Sequence, residues 1–395
     1  MLPHRPFKTI PPIFFDIGIS KEVGQRLVEA DAKKTMLLYD KGIESTGISK
    51  QIAHYIRDAG IELIENNSIQ ADPPDTSVNA IAEIARAEEI DSIVALGGGS
   101  SIDTAKCISL LLRNEGTIDQ YYGVLPQNPG VFLIAIPTTA GTGSESTIGG
   151  VITDTATKTK KVVGGPGLLV SQALLDPELT VGVPPYITAT TGFDSLMHAL
   201  DGFISEYAGL YTKYQCESTV RLFHKSIRSV VEDGKDIEAR AHMMGAAVTG
   251  GMIITGASCS LIHSFGHAMG GAYPIAHGNA VTLFAPAVLE FVSEVKPDEI
   301  KWIAELFEID VAQTDSPKEI AEKIGVAIAT LAMEMGLKSI DAYEPEPEKL
   351  YQIIERAKSD VMTKTTPRPL EDKDAKWIID RTYEIHRAIH QEPVA

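Results

Sequence analysis

The chain has 395 residues, 44% of them hydrophobic and 22% charged, with a net charge of −18 at pH 7. That length is too great for one compact core and implies two domains, and the composition is that of a globular protein, not a disordered one. The acidic excess argues against a nucleic-acid backbone or an anionic membrane as partner, because both call for positive surface. Three cysteines, Cys107, Cys216 and Cys259, are too few and too far apart for a disulfide framework, which favours a reducing compartment. Met1 to Pro6 lacks the basic-then-apolar order of a secretory leader, and the apolar runs fall far short of the roughly 20 residues of a membrane span. A cytoplasmic location is the expectation.

In chain order, Thr35–Tyr39 reads as a strand, Ile48–Ala59 as a helix, Ile61–Ile64 as a strand and Val78–Glu89 as a helix. Ser92–Leu96 and Val131–Ile136 are uninterrupted apolar runs of the kind buried on both faces of a parallel sheet. This alternation is the doubly wound α/β pattern. Past Pro184-Pro185 the texture changes to long amphipathic segments: 186–205, 213–232, 237–250, 260–270, 301–307, 317–335, 348–357 and 374–386. The second half is therefore expected to be all-helical, with the double proline as boundary. No linker separates the halves, so they are expected to pack closely and leave a cleft, a favoured kind of ligand site.

Gly97-Gly98-Gly99-Ser100-Ser101 follows a buried-type strand and opens a helix. Glycines let the backbone approach an anion, and the free N–H groups of the helix's first turn, capped by Ser100 or Ser101, suit a pyrophosphate. Pro137-Thr138-Thr139-Ala140-Gly141-Thr142-Gly143-Ser144-Glu145 follows the next apolar strand and repeats the arrangement. Each loop alone is also ordinary turn chemistry; two at the ends of two strands favour a nucleotide. Asp40, just after an earlier strand, can accept from an adenosine ribose and repel a 2′-phosphate, or serve simply as a turn or capping residue.

The second half holds a different constellation. Asp194 and His198 are four residues apart, as are His263 and His267, and His277 follows a glycine break. Paired i,i+4 side chains share a helical face, and several imidazoles with a carboxylate make a mixed N/O site for Fe²⁺, Zn²⁺ or another divalent ion. His54, His224 and His390 show no such pairing and read as structural or exposed.

Taken together and in order, Gly97 to Asp103, Pro137 to Glu145, Gly192-Phe193-Asp194-Ser195-Leu196-Met197-His198-Ala199 and the His263, His267, His277 run resemble the iron-containing (group III) alcohol dehydrogenases. The match covers nearly the whole chain. The resemblance implies a Rossmann-like α/β dinucleotide-binding domain over 1–183 and an all-α metal-binding catalytic domain over 184–395, in a dehydroquinate synthase-like architecture. It implies a metal-dependent, NAD(H)-linked oxidoreductase that interconverts a primary alcohol, diol or hydroxyacid with its aldehyde or ketone. Asp194, His198, His263 and His277 fall on the family's metal-ligand positions, with Fe²⁺ favoured and Zn²⁺ the alternative. His267 falls on a non-ligand histidine position associated with proton movement. Asp40, Gly98, Gly99, Ser100, Thr138, Thr139, Thr142, Lys160 and Leu179 fall at the cofactor, with Asp40 favouring NAD(H). A homo-oligomer, dimer or larger, is expected.

Departures are Ala71-Asp72-Pro73 and Thr366-Pro367-Arg368, where relatives often read Pro-Asn-Pro and Asn-Pro-Arg. Gly149 and Gly150 replace larger side chains of some small-diol enzymes and suggest a roomier pocket, with Ile254, Cys259 and Met362 also at its wall. Two rivals remain. A non-redox, dehydroquinate-synthase-like lyase needs Lys or Arg beside the metal, and the segments around Asp194 and His263 have none. A silent nucleotide-binding protein would have no physical reason to keep so many polar groups together.

Overall fold

The computed structural model describes residues 11–391; Met1 to Pro6 and the side chain of His390, on which two expectations fell, lie outside the described residues. Two compact units are present. One runs to Val183 and also takes in Gly234–Met244; the other comprises Pro184–Asp233 and the chain from Gly245 onward.

The first unit is built on eight strands: β1 Ile13–Phe15, β2 Lys34–Leu38, β3 Glu62–Asn66, β4 Ser92–Gly97, β5 Phe132–Pro137, β6 Gly149–Asp154, β7 Thr159–Gly164 and β8 Gln172–Leu175. Six form one sheet in the order β1-β8-β5-β4-β2-β3, every pair parallel, while β6 and β7 make a separate antiparallel hairpin. Five helices accompany them: α1 Val23–Glu29, α2 Lys41–Thr46, α3 Ile48–Asp58, α4 Asp75–Ala87 and α5 Gly99–Arg113. Alternation of side chains along each strand sorts the core into two layers. Met36, Leu38, Ile93, Ala95, Leu133 and Ala135 pack with Val78, Ile81, Ile102 and Ile108 of α4 and α5. Leu37, Val94, Leu96, Ile134 and Ile136 pack with Leu27, Ile52 and Ile56 of α1 and α3. Burial on both faces is why β4 and β5 read as unbroken apolar runs.

The second unit is helical: α6 Pro185–Ile204, α7 Leu210–Glu232, α8 Ile237–Ala257, whose first turns cluster with the first unit, α9 Leu261–Gly270, α10 His277–Val292, α11 Pro297–Leu306, α12 Pro317–Glu334, α13 Pro347–Leu350, α14 Ile354–Ser359 and α15 Asp372–Gln391. The helix expected over 348–357 is instead two short helices joined by a 3-10 turn at Tyr351–Ile353. α10 was not anticipated. All its residues from Gly278 to Val292 are buried, so it has no polar face to set a 3.6-residue pattern. Its start lies tight against α6: a Cβ on Gly278 would stand 1.8 Å from the Thr190 carbonyl oxygen. No single described helix is long and apolar enough to cross a membrane; the pair α8 and α9, bent by 107°, meets that test by length and composition only.

Candidate metal centre and nucleotide cradle

Three helices of the second unit bring the four expected ligands together. Asp194 and His198 stand one turn apart on α6, His263 lies in the first turn of α9, and His277 is the first residue of α10. The Nε2 atoms of His198, His263 and His277 lie 3.7, 3.6 and 3.3 Å from the same oxygen, Oδ1 of Asp194. The His198 and His263 rings stack with centroids 4.7 Å apart. Asp194, His198 and His263 are buried, yet Asp194 Oδ1 and His263 Nε2 have no hydrogen-bond partner among the described residues. Buried polar atoms left unpaired are costly, and a cation held among them would satisfy them at once, so this donor set fits a divalent ion. Burial drives the His198 imidazole down to about 3, which leaves it neutral, the form that donates to a metal. For Asp194 burial works upward, but the surrounding imidazoles of His198, His277 and His263 outweigh it and keep the carboxyl well below its ordinary range.

Two carboxylates that the sequence reading passed over orient this centre. Asp201 Oδ2 lies 2.7 Å from His263 Nδ1 and also accepts the backbone N–H of His263, while its Oδ1 accepts from Ile262. With Nδ1–H given to Asp201, the Nε2 lone pair of His263 is free for a metal. Asp194, His198 and Asp201 are spaced i, i+4, i+7 on one helix, and that spacing was the available signal. Asp360 is the second. Its Oδ2 lies 2.9 Å from His267 Nδ1, and its other oxygen accepts from the backbone of Met362. His267 is not in the ligand cluster, but its ring stacks on that of His277 with centroids 5.4 Å apart. Burial lowers its pKa, against the pull of Asp360, so it is neutral near pH 7 and able to accept a proton.

In the first unit the strand order places β3 on one side of β2 and β4 on the other, so the loops after β2 and β4 flank the point where the chain reverses direction across the sheet. Ligands of open α/β sheets bind outside the carboxyl ends of strands at such a point. Asp40 follows β2 and caps α2, accepting from Ile43 N at 2.8 Å. The glycine loop follows β4. α5 starts at Gly99 with Gly98 as its cap residue and no side chain capping it, so Ser100 and Ser101 lie inside the helix and do not cap it as expected. Gly98 and Gly99 let this loop close against the next one: added Cβ atoms would stand 3.0 Å from Thr139 Oγ1 and 2.8 Å from Thr142 Cγ2. Thr138 joins the pair through its N–H to the Gly97 carbonyl, 3.1 Å. An uncapped helix start beside glycines and hydroxyls fits a phosphate group.

The remaining expected cofactor residues are placed differently. Lys160 lies on β7 with its ammonium 2.7 Å from Asp72. The side chain of Leu179 belongs to the core layer with Leu96 and Ile136. Behind the cradle lies the fully buried Lys106, which donates to the carbonyls of Ser144, Thr147 and Gly149 and to Thr147 Oγ1. The space expected beside Gly150 is taken up by α5, since a Cβ there would meet the Asp103 carbonyl at 3.2 Å and Cys107 Sγ at 3.4 Å.

Similar proteins match both parts of the chain. The family model "Iron-containing alcohol dehydrogenase" matches residues 11–177, and "Fe-containing alcohol dehydrogenase family, C-terminal" matches 188–383. The chain is 36% identical over 364 residues to an NAD-dependent methanol dehydrogenase of Bacillus methanolicus, covering 92% of this chain and 95% of that protein. It is 35% identical over 327 residues to a 1,3-propanediol dehydrogenase of Klebsiella pneumoniae, covering 82% and 84%. A crystal structure of 1,3-propanediol oxidoreductase superposes with a TM-score of 0.91 at 32% identity, covering 96% of this chain and all of that one.

Proposed function

The chain belongs to the iron-containing alcohol dehydrogenase family, and we propose that Asp194, His198, His263 and His277 hold its divalent metal while His267 moves the proton. It is an NAD(H)-linked oxidoreductase that interconverts an alcohol and its carbonyl compound. The observation that carries the metal assignment is the convergence of three imidazole Nε2 atoms on one unpaired, buried carboxylate oxygen.

When bound, the ion supplies Lewis acidity toward the substrate oxygen and the nicotinamide accepts or gives the hydride. The protein's own part is positional. Asp201 holds His263 in the tautomer that presents Nε2, and Asp360 likewise holds His267 by Nδ1. His267 Nε2 is then the atom that takes the proton released from an alcohol, or returns one to a reduced carbonyl. Gly98, Gly99 and Ser100 at the start of α5, with Thr138, Thr139 and Thr142, are proposed to hold the cofactor phosphates. Asp40 is proposed to meet the adenosine ribose and so favour NAD(H), with Lys160 and Leu179 as further contacts. The domain assignment follows: 1–183 for the dinucleotide and 184–395 for the metal.

Fe²⁺ is the ion favoured by the family, and Zn²⁺ suits the same donors. Cytoplasmic location is supported by the three cysteines, all buried and unpaired. A homo-oligomer is supported by the family resemblance, and light scattering reads it directly. Metal analysis of anaerobically purified protein, followed by an alcohol and aldehyde panel read at the NADH absorbance, tests metal, cofactor and substrate class together. His267→Ala is expected to lower turnover with metal content intact; equal loss of metal makes His267 a ligand instead.

A further inference from the structure

His277 is the most exposed of the four proposed ligands: its side chain is 37% exposed, against 5% or less for Asp194, His198 and His263. It is also the first residue of α10, a helix start that no side chain caps, so its placement depends on how the flanking chain is held. Two anchors bracket it, and both end on residues 338–344. Four positions before His277, the Tyr273 hydroxyl donates to Glu344 Oε2 at 3.2 Å. Two positions after it, Asn279 is 1% exposed and uses its carboxamide as a backbone amide would. Its Nδ2 donates to the Lys338 carbonyl and its Oδ1 accepts the Lys338 N–H, each at 3.0 Å. The Tyr343 hydroxyl donates to the same Oδ1 at 3.1 Å, and the hydroxyl of Tyr186, in the first turn of α6, lies 3.5 Å from it. The segment itself is tied to α15, where Arg387 donates to both oxygens of Asp341 and to the Pro345 carbonyl.

We propose that Asn279 is a positioning residue of the metal centre: its clip on the Lys338 backbone fixes the first turn of α10 and so sets where His277 presents its ring. The inference rests on the reading of His277 as a metal ligand. Truncating the carboxamide leaves the buried ends of this clip unpaired and frees the turn that carries His277. Asp194 and His198 stand within α6, and His263 is held by Asp201. A disturbance at Asn279 therefore reaches one ligand, the one with the least packing around its ring. Loss of an outer partner of this kind costs about tenfold in metal affinity.

A double-mutant cycle separates action through His277 from a general loss of structure. The full chain is stripped of metal, and its Zn²⁺ affinity is measured by chelator competition for the wild type, Asn279→Ala, His277→Ala and the double variant. Three ligands remain without His277, so a weak chelator keeps that background measurable. Asn279→Ala is expected to weaken Zn²⁺ binding about tenfold when His277 is present, and by less than about twofold when it is absent. Tyr343→Phe removes only one hydroxyl from Oδ1; carried through the same cycle, it is expected to cost about threefold, and it decides the question if Asn279→Ala does not fold. Wild-type affinity in the folded Asn279→Ala chain overturns the proposal and leaves the metal centre standing. So does an equal loss in both backgrounds, which makes Asn279 a residue of general structure. Wild-type affinity in His277→Ala overturns the reading of His277 as a ligand, and the proposal with it.

Discussion

Asp201→Asn isolates the orientation of one metal ligand from the ligand itself. Asp201 is fully buried and touches the centre only through His263, by the 2.7 Å contact to Nδ1 and the backbone N–H groups of Ile262 and His263. Asparagine keeps one acceptor oxygen. If that oxygen continues to serve the backbone, the amide NH₂ faces Nδ1 and favours the tautomer that carries its proton on Nε2, where the metal lone pair is needed. Removing such an orienting partner costs about 10- to 100-fold in metal affinity, or about 1.4–2.7 kcal/mol. Competition of the variant against a chelator for Zn²⁺ measures this directly. At saturating metal, turnover is expected to recover most of its loss, because all four ligands remain. Wild-type zinc affinity in a folded Asn variant would refute the idea that Asp201 sets the His263 tautomer.

Three further outcomes follow from named contacts. Glu145 is buried, and burial raises its carboxyl to about 7 from an ordinary 4.5. The folded chain therefore binds the extra proton between those values, and the associated stability, up to about 3 kcal/mol, is present below pH 4.5 and lost as the pH rises through 7. Urea melts at pH 5 and pH 8 should show that slope in the wild type and its loss in Glu145→Gln. Lys106→Met leaves the carbonyls of Ser144, Thr147 and Gly149 without their donor, and should cost about 3 kcal/mol in denaturant midpoint analysis while raising the KM for NADH. Gly278→Ala places a Cβ 1.8 Å from the Thr190 carbonyl oxygen, so the start of α10 must withdraw. A loss of about 2 kcal/mol in thermal stability is expected, together with loss of bound metal as His277 moves.

The fold was legible in proportion to how regular each element's burial is. β2, β4 and β5 stood out because both faces are covered, and α3 because only one is. The three-residue β1 and the four-residue β8 hold edge and near-edge places through long-range pairing that no local window contains. The hairpin of β6 and β7 escaped for a different reason: Lys160 and Lys161 interrupt β7, and β6 finds its partners on α5 and α4. Buried on all sides, α10 carried an apolar signal with no period. Tertiary packing decided these elements, and local propensity had little to say.

The site divides along a similar line. Residues that must present a donor atom from a helix repeat at helical spacing, so Asp194 with His198 and His263 with His267 were visible as pairs. His277 was visible as a residue, but its approach to Asp194 depends on Gly278 allowing α10 to touch α6. Residues that act through another side chain have no such constraint. Asp360 reaches His267 from 93 positions away, and an acidic residue before a short turn is ordinary capping chemistry in any sequence. Asp72 is similar: only the structure shows it engaging Lys160. Ligands were legible as pattern; Asp201 shares their helical spacing on α6, whereas Asp360 is tied to His267 only by the fold.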